Sequence, residues 1–202
     1  DDFGPISKGP NNEIKNKDSN FVFFFGVSAS GKSVILSSIL YYLSSQAGVL
    51  SPKSGTPNSR EAQALLEDFF ENISKGILPN RTTRDRVTRI DLKFEPSNKS
   101  KKVPPINLTF LETAGANHLD ITRGNQYHNS IDSYLNAKIP LNIIIVTSYD
   151  SAHKEDSLIN VFLNRLVEKG IEPKYVNIIL VISKWDLSGK GSVASEDELE
   201  SF

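Results

Sequence analysis

The feature that most constrains this chain is the stretch Gly26-Val27-Ser28-Ala29-Ser30-Gly31-Lys32-Ser33, which matches the pattern G-x-x-x-x-G-K-[ST] without a gap. An apolar strand is predicted directly before it, over residues 21–25, and a helix directly after it, over residues 34–45. Two glycines let a loop wrap an anion with backbone N–H groups, and the helix N-terminus adds positive potential. The pattern therefore predicts a phosphate-binding loop whose contacts come from Gly26, Ser28, Ala29, Ser30, Gly31, Lys32, Ser33 and Val34.

Within this loop two side chains carry chemistry of their own. Lys32 supplies a point charge for the outer phosphates of a nucleotide, and the Ser33 hydroxyl is a ligand for Mg²⁺. A phosphate loop by itself does not separate kinases, ATPases and GTPases. The rest of the chain has to make that distinction.

Short apolar segments alternate with amphipathic ones along the chain. Buried strands are predicted over residues 21–25, 106–111, 141–146 and 176–182, and helices over 34–45, 58–76, 129–138 and around 158–166. Residues 86–94 alternate in polarity and predict an edge strand with one dry face, while 48–57 and 96–105 are predicted as loops. The pattern predicts a three-layer α/β fold with a mostly parallel sheet and one antiparallel edge strand.

Composition narrows the classes of partner. The chain has 23 Lys and Arg against 24 Asp and Glu, a net charge of −1 that gives no broad positive surface for nucleic acid. It has no Cys, which excludes disulfides, thiol chemistry and Cys-ligated metal. No apolar run is long enough to span a membrane and no signal-peptide pattern is present, so a cytoplasmic location is expected.

The ends of the chain differ in character from its middle. Residues 1–20 are polar and aperiodic and predict a flexible arm, residues 21–187 predict one domain, and residues 188–202 predict an acidic tail or the truncated end of that domain. Because the chain starts at Asp1 and contains no Met, we expect it to be a processed piece of a longer product.

Two further motifs follow predicted strands. Glu112-Thr113-Ala114-Gly115 comes after residues 106–111, and Ser183-Lys184-Trp185-Asp186-Leu187 comes after residues 176–182. With the phosphate loop, they resemble the D-x-x-G and [NT]-K-x-D motifs of the Ras-like (TRAFAC-class) GTPases. The long interval between Lys32 and Thr82, which holds a predicted helix, is most similar to the bacterial double-GTPase-type group. This resemblance covers residues 21–187 and implies a P-loop NTPase fold that binds GTP or GDP and Mg²⁺.

The resemblance also implies roles for single residues. Gly115 would sense the γ-phosphate, and Glu112, which replaces the usual Asp, would reach Mg²⁺ through water over a longer side chain. Asp186 would pair with guanine N1–H and the exocyclic amine, two donors that adenine does not offer together, and the Lys184 stem would pack over the base. Ser183 replaces Asn or Thr and keeps only a hydroxyl.

The first switch of the family would lie in residues 78–84. Thr82 or Thr83 would close over the γ-phosphate and ligate Mg²⁺, and the sequence does not choose between them. Arg84 or Arg81 would stabilise transition-state charge, although the same basic run also fits a charged strand edge.

The catalytic residues are less complete than the binding residues. Ala116 follows Gly115 where the family has a water-orienting glutamine, which leaves Asn117 or His118 as substitutes. A loop histidine more commonly sits in solvent without a role. The fifth motif of the family, which touches guanine, is not identifiable before Phe202.

These features predict a Mg²⁺-dependent GTP-binding switch with slow hydrolysis that works with a protein effector or within a larger host polypeptide. A guanylate-kinase-like enzyme is one alternative, because residues 81–86 are similar to the T-T-R-x-P-R acceptor-binding segment, without its proline. A nucleotide-stabilised interaction module that does not hydrolyse is another, suggested by Glu112 and Ala116.

Overall fold

A single six-stranded sheet organises the protein. The structure, a computed structural model, describes residues 18–54, 59–77, 87–97, 104–118, 132, 134–136, 139–171 and 173–189. The strands are β1 (Asn20–Phe25), β2 (Gly48–Pro52), β3 (Val87–Pro96), β4 (Ile106–Thr113), β5 (Leu141–Ser148) and β6 (Val176–Ser183). Their order across the sheet is β2-β3-β4-β1-β5-β6. β1 pairs in parallel with β4 and β5, and β5 with β6, whereas β3 runs antiparallel to both its neighbours. The predicted α/β architecture with a mostly parallel sheet is confirmed.

Helices pack on both faces of this sheet because β1 is apolar at nearly every position. The helices are α1 (Lys32–Ser45), α2 (Ser59–Ser74), the short α3 (Gly115–His118) and α4 (Ala152–Glu168). Phe24 packs in one core with α1 and α2, and Phe21, Phe23 and Phe25 pack in the other with α4 and with Tyr134 and Leu135. Phe25 stacks on Phe162 of α4 with 3.8 Å between ring centroids. Each face of the sheet therefore has its own apolar core.

Helix α2 agrees with its sequence pattern. Ala62, Leu66 and Phe69 are buried along one side of it. The chain turns out of the helix at Gly76, whose φ of +67° is the left-handed conformation that glycine adopts at a helix end. Asn58, the first residue of the predicted helix, lies outside the described residues.

The prediction of a loop over residues 48–57 is wrong for β2. This strand pairs with β3, with Leu50 opposite Phe94, and it forms the edge of the sheet. Its Gly, Ser and Pro residues give little intrinsic strand preference, and an edge position tolerates Pro52. A Cβ on Gly48 would lie 2.7 Å from the Glu95 carbonyl oxygen, so the close pairing needs glycine. The antiparallel β3 is consequently one strand in from the edge, which corrects its predicted edge position.

The polar face of β3 is also not a solvent face. Asp91 is fully buried and accepts a hydrogen bond of 2.7 Å from the Thr109 hydroxyl. Arg89 donates to the same carboxylate from two nitrogens, at 2.9 and 3.1 Å, and to the Tyr134 hydroxyl at 3.3 Å. The predicted apolar face is confirmed by Ile90 and Leu92, which are fully buried, and the polar face differs from a solvent-exposed one because Asp91 on it is buried in a paired polar cluster.

Strand β6 lies at the opposite edge. Within the described residues it pairs only with β5, and Ile178, Ile179 and Leu180 are 48%, 51% and 57% exposed. The prediction of a buried strand here is correct in position and type but wrong in burial. No helix in the described part of the chain is both long enough and apolar enough to cross a membrane.

The ends of the chain are described only in part. Residues 1–17 and 190–202 lie outside the described residues. Asn20 begins β1, and the Ser19 hydroxyl lies 2.8 Å from that of Thr109, so the last residues of the predicted arm belong to the sheet.

Candidate functional site

The predicted phosphate loop follows β1, the strand at which the order of strands across the sheet reverses direction. β1 has β4 on one side and β5 on the other, and the three run parallel. In open α/β sheets, ligands bind outside the carboxyl ends of the strands at such a reversal. The two later motifs start within the last residues of β4 and β6 and lie at the same carboxyl edge of the sheet, because β4 runs parallel to β1 and β6 runs parallel to β5.

The loop from Gly26 to Ser33 adopts a conformation that needs small residues. Gly26 and Gly31 have φ of 151° and 98°, and a Cβ on Gly26 would overlap the Val146 carbonyl oxygen of β5. Ala29 has a positive φ of 66° although it is not glycine. The tip of the loop at Ser28 and Ala29 is exposed, which leaves its backbone open to a ligand.

Lys32 folds back over this loop. Its Nζ donates to the carbonyl oxygens of Gly26 and Val27 at 2.8 and 2.9 Å, and the residue is 6% exposed. Burial lowers the pKa of Lys32 to about 8, against the opposing effect of the charges on Glu112 and Glu155. The ammonium group is thus held beside the loop by weak carbonyl partners, which a phosphate can replace.

Ser33 and Glu112 lie together, as a metal site would require. The Ser33 hydroxyl donates to Glu112 Oε1, and Glu112 is 3% exposed near the end of β4. Because the serine proton points at the carboxylate, the lone pairs of its oxygen remain available to a cation. Hydroxyl and carboxylate oxygens are ligands that suit Mg²⁺. In metal sites, a carboxylate beside the metal commonly holds a ligand in its binding orientation through a hydrogen bond. The residues present therefore fit a magnesium ion held by Ser33, with Thr82 and Thr83 outside the described residues.

Gly115 contacts the phosphate loop directly. A Cβ at this position would overlap the backbone of Val27 and Ser28, so only glycine permits the approach. The structure places Gly115 against the predicted phosphate loop, and its role as a γ-phosphate sensor stays a prediction.

His118 lies on the other side of this segment, in the core. It is fully buried, its Nε2 is 2.9 Å from the Thr113 hydroxyl, and its ring meets Phe25 edge-on with centroids 4.5 Å apart. A role in orienting water stays a prediction and requires this segment to move. The side chain of Asn117, and Arg81 and Arg84, lie outside the described residues, as does the kinase-like segment 81–86.

The third motif meets the loop through Ser183. Its hydroxyl is 2.6 Å from the Ser30 carbonyl oxygen, to which it donates, and 3.2 Å from that of Thr147. Lys184 follows in the left-handed conformation with φ of 55°, which turns the chain into a short 3₁₀ helix (Trp185–Ser188). Asp186 is exposed on that turn. The structure thus brings the Ser183 motif into contact with the phosphate loop.

Four further polar residues at this edge were not predicted from the sequence: Ser148, Asp150, Ser151 and Glu155. Asp150 pairs with Lys184 at 3.2 Å, and the Ser151 hydroxyl donates to Glu155 Oε1 at 2.7 Å. Ser148 is the last residue of β5, the other strand next to β1, and the remaining three follow it. These residues match no motif, so only their position at the carboxyl end of a strand next to β1 could have marked them as site residues.

Comparison with known proteins adds no assignment. No protein-family model matches the chain, and no curated protein is significantly similar to it.

Proposed function

We propose that the chain is a Mg²⁺-dependent GTP-binding protein of Ras-like type, with slow hydrolysis, that acts as a molecular switch on a protein effector or a larger host polypeptide. The observation that carries this proposal is the convergence of three distant segments. Glu112 contacts Ser33, and Ser183 contacts Ser30, so the carboxyl ends of β4 and β6 both touch the phosphate loop after β1.

Each group at the site has a role that its chemistry supports. The amides of the loop and the Lys32 ammonium bind the phosphates, and Glu112 orients the Ser33 oxygen. A bound Mg²⁺ would neutralise charge on the outer phosphates. Asp186, exposed beyond β6, accepts from two adjacent donors of guanine and so selects against adenine.

We expect slow hydrolysis because the described side chains that follow Gly115 offer no group to orient the attacking water. Ala116 has no group that could orient water, and His118 points into the core. Among the described residues, the loop amides and Lys32 can still contribute to catalysis by stabilising the negative charge of the transition state.

Nucleotide binding to the purified protein tests base selectivity. We expect GDP and a GTP analogue to bind much more tightly than ADP and an ATP analogue. Asp186→Asn should weaken GDP binding about tenfold or more, because hydrogen bonds to a charged group contribute about 1.5–3 kcal/mol. Asp156→Asn, which changes an exposed carboxylate on α4, serves as the matched control and should leave the affinity unchanged. Equal affinity of the parent protein for GTP and ATP would contradict the assignment.

A second variant tests phosphate binding by the loop. Lys32→Ala should abolish detectable triphosphate binding while the far-UV circular dichroism stays that of the parent, because the Lys32 ammonium group donates to carbonyl oxygens of the loop and not to a sheet or core group among the described residues. Lys154→Ala, on the exposed side of α4, is the control. Full affinity in Lys32→Ala would show that the loop does not bind phosphate.

A further inference from the structure

Lys184 has a backbone conformation that its surroundings must hold. Its φ of 55° and ψ of 34° are left-handed, which a residue with a Cβ adopts only at a cost in free energy. Such a conformation persists where the neighbouring structure fixes it, and it is enriched at sites that bind ligands. The placement of Lys184 therefore depends on the contacts made around it.

The turn after β5 supplies those contacts on both sides of Lys184. On the residue before it, the Ser183 carbonyl oxygen accepts a hydrogen bond of 2.9 Å from the Tyr149 N–H. On the residue after it, the Trp185 ring meets the Tyr149 ring edge-on, with 5.4 Å between centroids. The backbone of Lys184 thus lies between two neighbours that both contact Tyr149.

The next residue of the turn, Asp150, contacts the Lys184 side chain itself. Lys184 Nζ lies 3.2 and 3.3 Å from the two carboxylate oxygens of Asp150. Hydrogen bonds from Ser148 and then from Lys184 lower the pKa of the Asp150 carboxyl, so this group carries its charge at neutral pH. The ammonium group is therefore anchored at the turn after β5, and the aliphatic stem of Lys184 runs toward that turn from the end of β6.

This ion pair contributes little to the stability of the fold. The side chains of Lys184 and Asp150 are 38% and 48% exposed, and pairs in contact with water are weak because solvent screens them. What the pair does restrict is a lysine stem that otherwise samples many rotamers. A stem that is ordered before a ligand arrives loses less entropy when the ligand binds, which raises the affinity.

We propose that Asp150 is a positioning residue for the base end of the nucleotide site: it holds the Lys184 ammonium group so that the lysine stem is in place to pack over guanine. This proposal rests on the proposed nucleotide binding. Lys184 contacts the base, and Asp150 acts through Lys184 alone. Tyr149 supports the arrangement because it fixes the backbone before Lys184.

A double-mutant cycle on GDP affinity tests whether Asp150 acts through Lys184. Asp150→Asn keeps the size of the side chain and removes its charge, and it should weaken GDP binding about twofold to fivefold, as for the loss of an exposed ion pair. Lys184→Met keeps an aliphatic stem without the ammonium group and should weaken GDP binding by at least as much. In the Lys184→Met background, Asp150→Asn should have no further effect. Asp150→Glu, which keeps the charge, should bind GDP more tightly than Asp150→Asn.

A second nucleotide separates positioning of the lysine from distortion of the whole turn. Inosine diphosphate lacks the exocyclic amine of guanine, so the ratio of the GDP affinity to the inosine diphosphate affinity reports on the Asp186 contact. Asp150→Asn should weaken both nucleotides by the same factor, because a lysine stem packs over either purine. Distortion of the turn would displace Asp186 as well and would lower the ratio.

Two controls accompany the cycle. Asp156→Asn changes an exposed carboxylate on α4 and should leave the GDP affinity unchanged. Thermal unfolding without nucleotide should show Asp150→Asn within about 4 °C of the parent, because an exposed ion pair contributes little to stability.

The outcomes separate this proposal from the one beneath it. If the parent binds no guanine nucleotide, the proposed function fails. If the parent binds GDP and Asp150→Asn binds it equally well, the positioning role is refuted while nucleotide binding stands. The role is also refuted if Asp150→Asn weakens GDP binding equally in the parent and in Lys184→Met, or if it lowers the ratio of the two nucleotide affinities, because Asp150 then acts by another route.

Discussion

Ala29 carries backbone strain inside the phosphate loop. Its φ of 66° is left-handed, a conformation that costs a residue with a Cβ about 1–2 kcal/mol. Ala29→Gly removes that strain, but glycine also raises the conformational entropy of the unfolded chain, which stabilises the unfolded state by about 0.4–1 kcal/mol. We therefore expect the free energy of unfolding to rise by a few tenths to about 1 kcal/mol. Denaturant unfolding measures it. Ala64→Gly, at an exposed position of α2, should instead lose about 1 kcal/mol. Destabilisation by both variants would show that Ala29 is not strained.

Lys32 should give the empty protein a pH-dependent stability. Burial lowers its pKa to about 8 from an ordinary value of 10.5. Between these two pH values the unfolded chain binds a proton that the folded protein has released, so stability rises with pH across this window. Relative to Lys32→Met, the parent should gain stability from pH 8 upward by at most about 1.4 kcal/mol per pH unit. Unfolding free energies at several pH values check this, and parallel profiles for the two proteins would contradict it.

At the scale of elements, the buried Arg89–Asp91 pair joins β3 to the helical segment at Tyr134. Removing one partner leaves a buried charge without its counterion, so Asp91→Ala should destabilise the protein by about 3–5 kcal/mol. Glu95, on the same strand, pairs with Lys93 in an exposed position, and Glu95→Ala should cost less than about 1 kcal/mol. Equal losses in the two variants, measured by chemical unfolding, would mean that the buried pair has no special role.

The same elements show what the sequence could predict of the fold. Helix α2 is predictable because its apolar period is local, and β1 and β5 are predictable because they are apolar throughout. β2 is not, because its strand conformation comes from pairing with β3 and not from its own residues. The burial of the Asp91 carboxylate is hidden for a similar reason. Its partner Thr109 lies on β4, and Tyr134, which accepts from Arg89, lies on a third segment, so only the fold brings these groups together.

The candidate site likewise contains residues that the sequence could predict and residues that only the fold reveals. The phosphate loop, Glu112 and Ser183 are found because each belongs to a motif that follows a strand. Asp150, Ser151 and Glu155 match no motif, and they become visible only when the strand order places the end of β5 beside the end of β1. His118 shows the opposite case, because its position after Gly115 suggests a catalytic loop while its ring is packed in the core.

At the scale of the whole molecule, the proposed switch depends on how Gly115 meets the loop. No side chain fits between Gly115 and the backbone of Val27 and Ser28. A γ-phosphate needs space beside the loop and offers its oxygens to the Gly115 amide and to Thr82 or Thr83, whereas GDP offers neither. We therefore expect a triphosphate, and not a diphosphate, to reposition the segment that follows β4.

Hydrogen exchange in the two nucleotide states measures this directly. We expect residues 76–84 and 112–125 to exchange more slowly with a GTP analogue than with GDP. We expect α2 to be unchanged, because it packs on β2, β3 and α1. Because Ala116 cannot orient water, unaided turnover should be about 10⁻⁴ s⁻¹ or slower. Identical protection in both states would make this a nucleotide-stabilised scaffold. Turnover above about 1 s⁻¹ would mean that a group of this chain supplies the missing function. Arg84→Ala, Arg81→Ala and His118→Ala would then identify that group, and His118 can supply it only if its segment leaves the core.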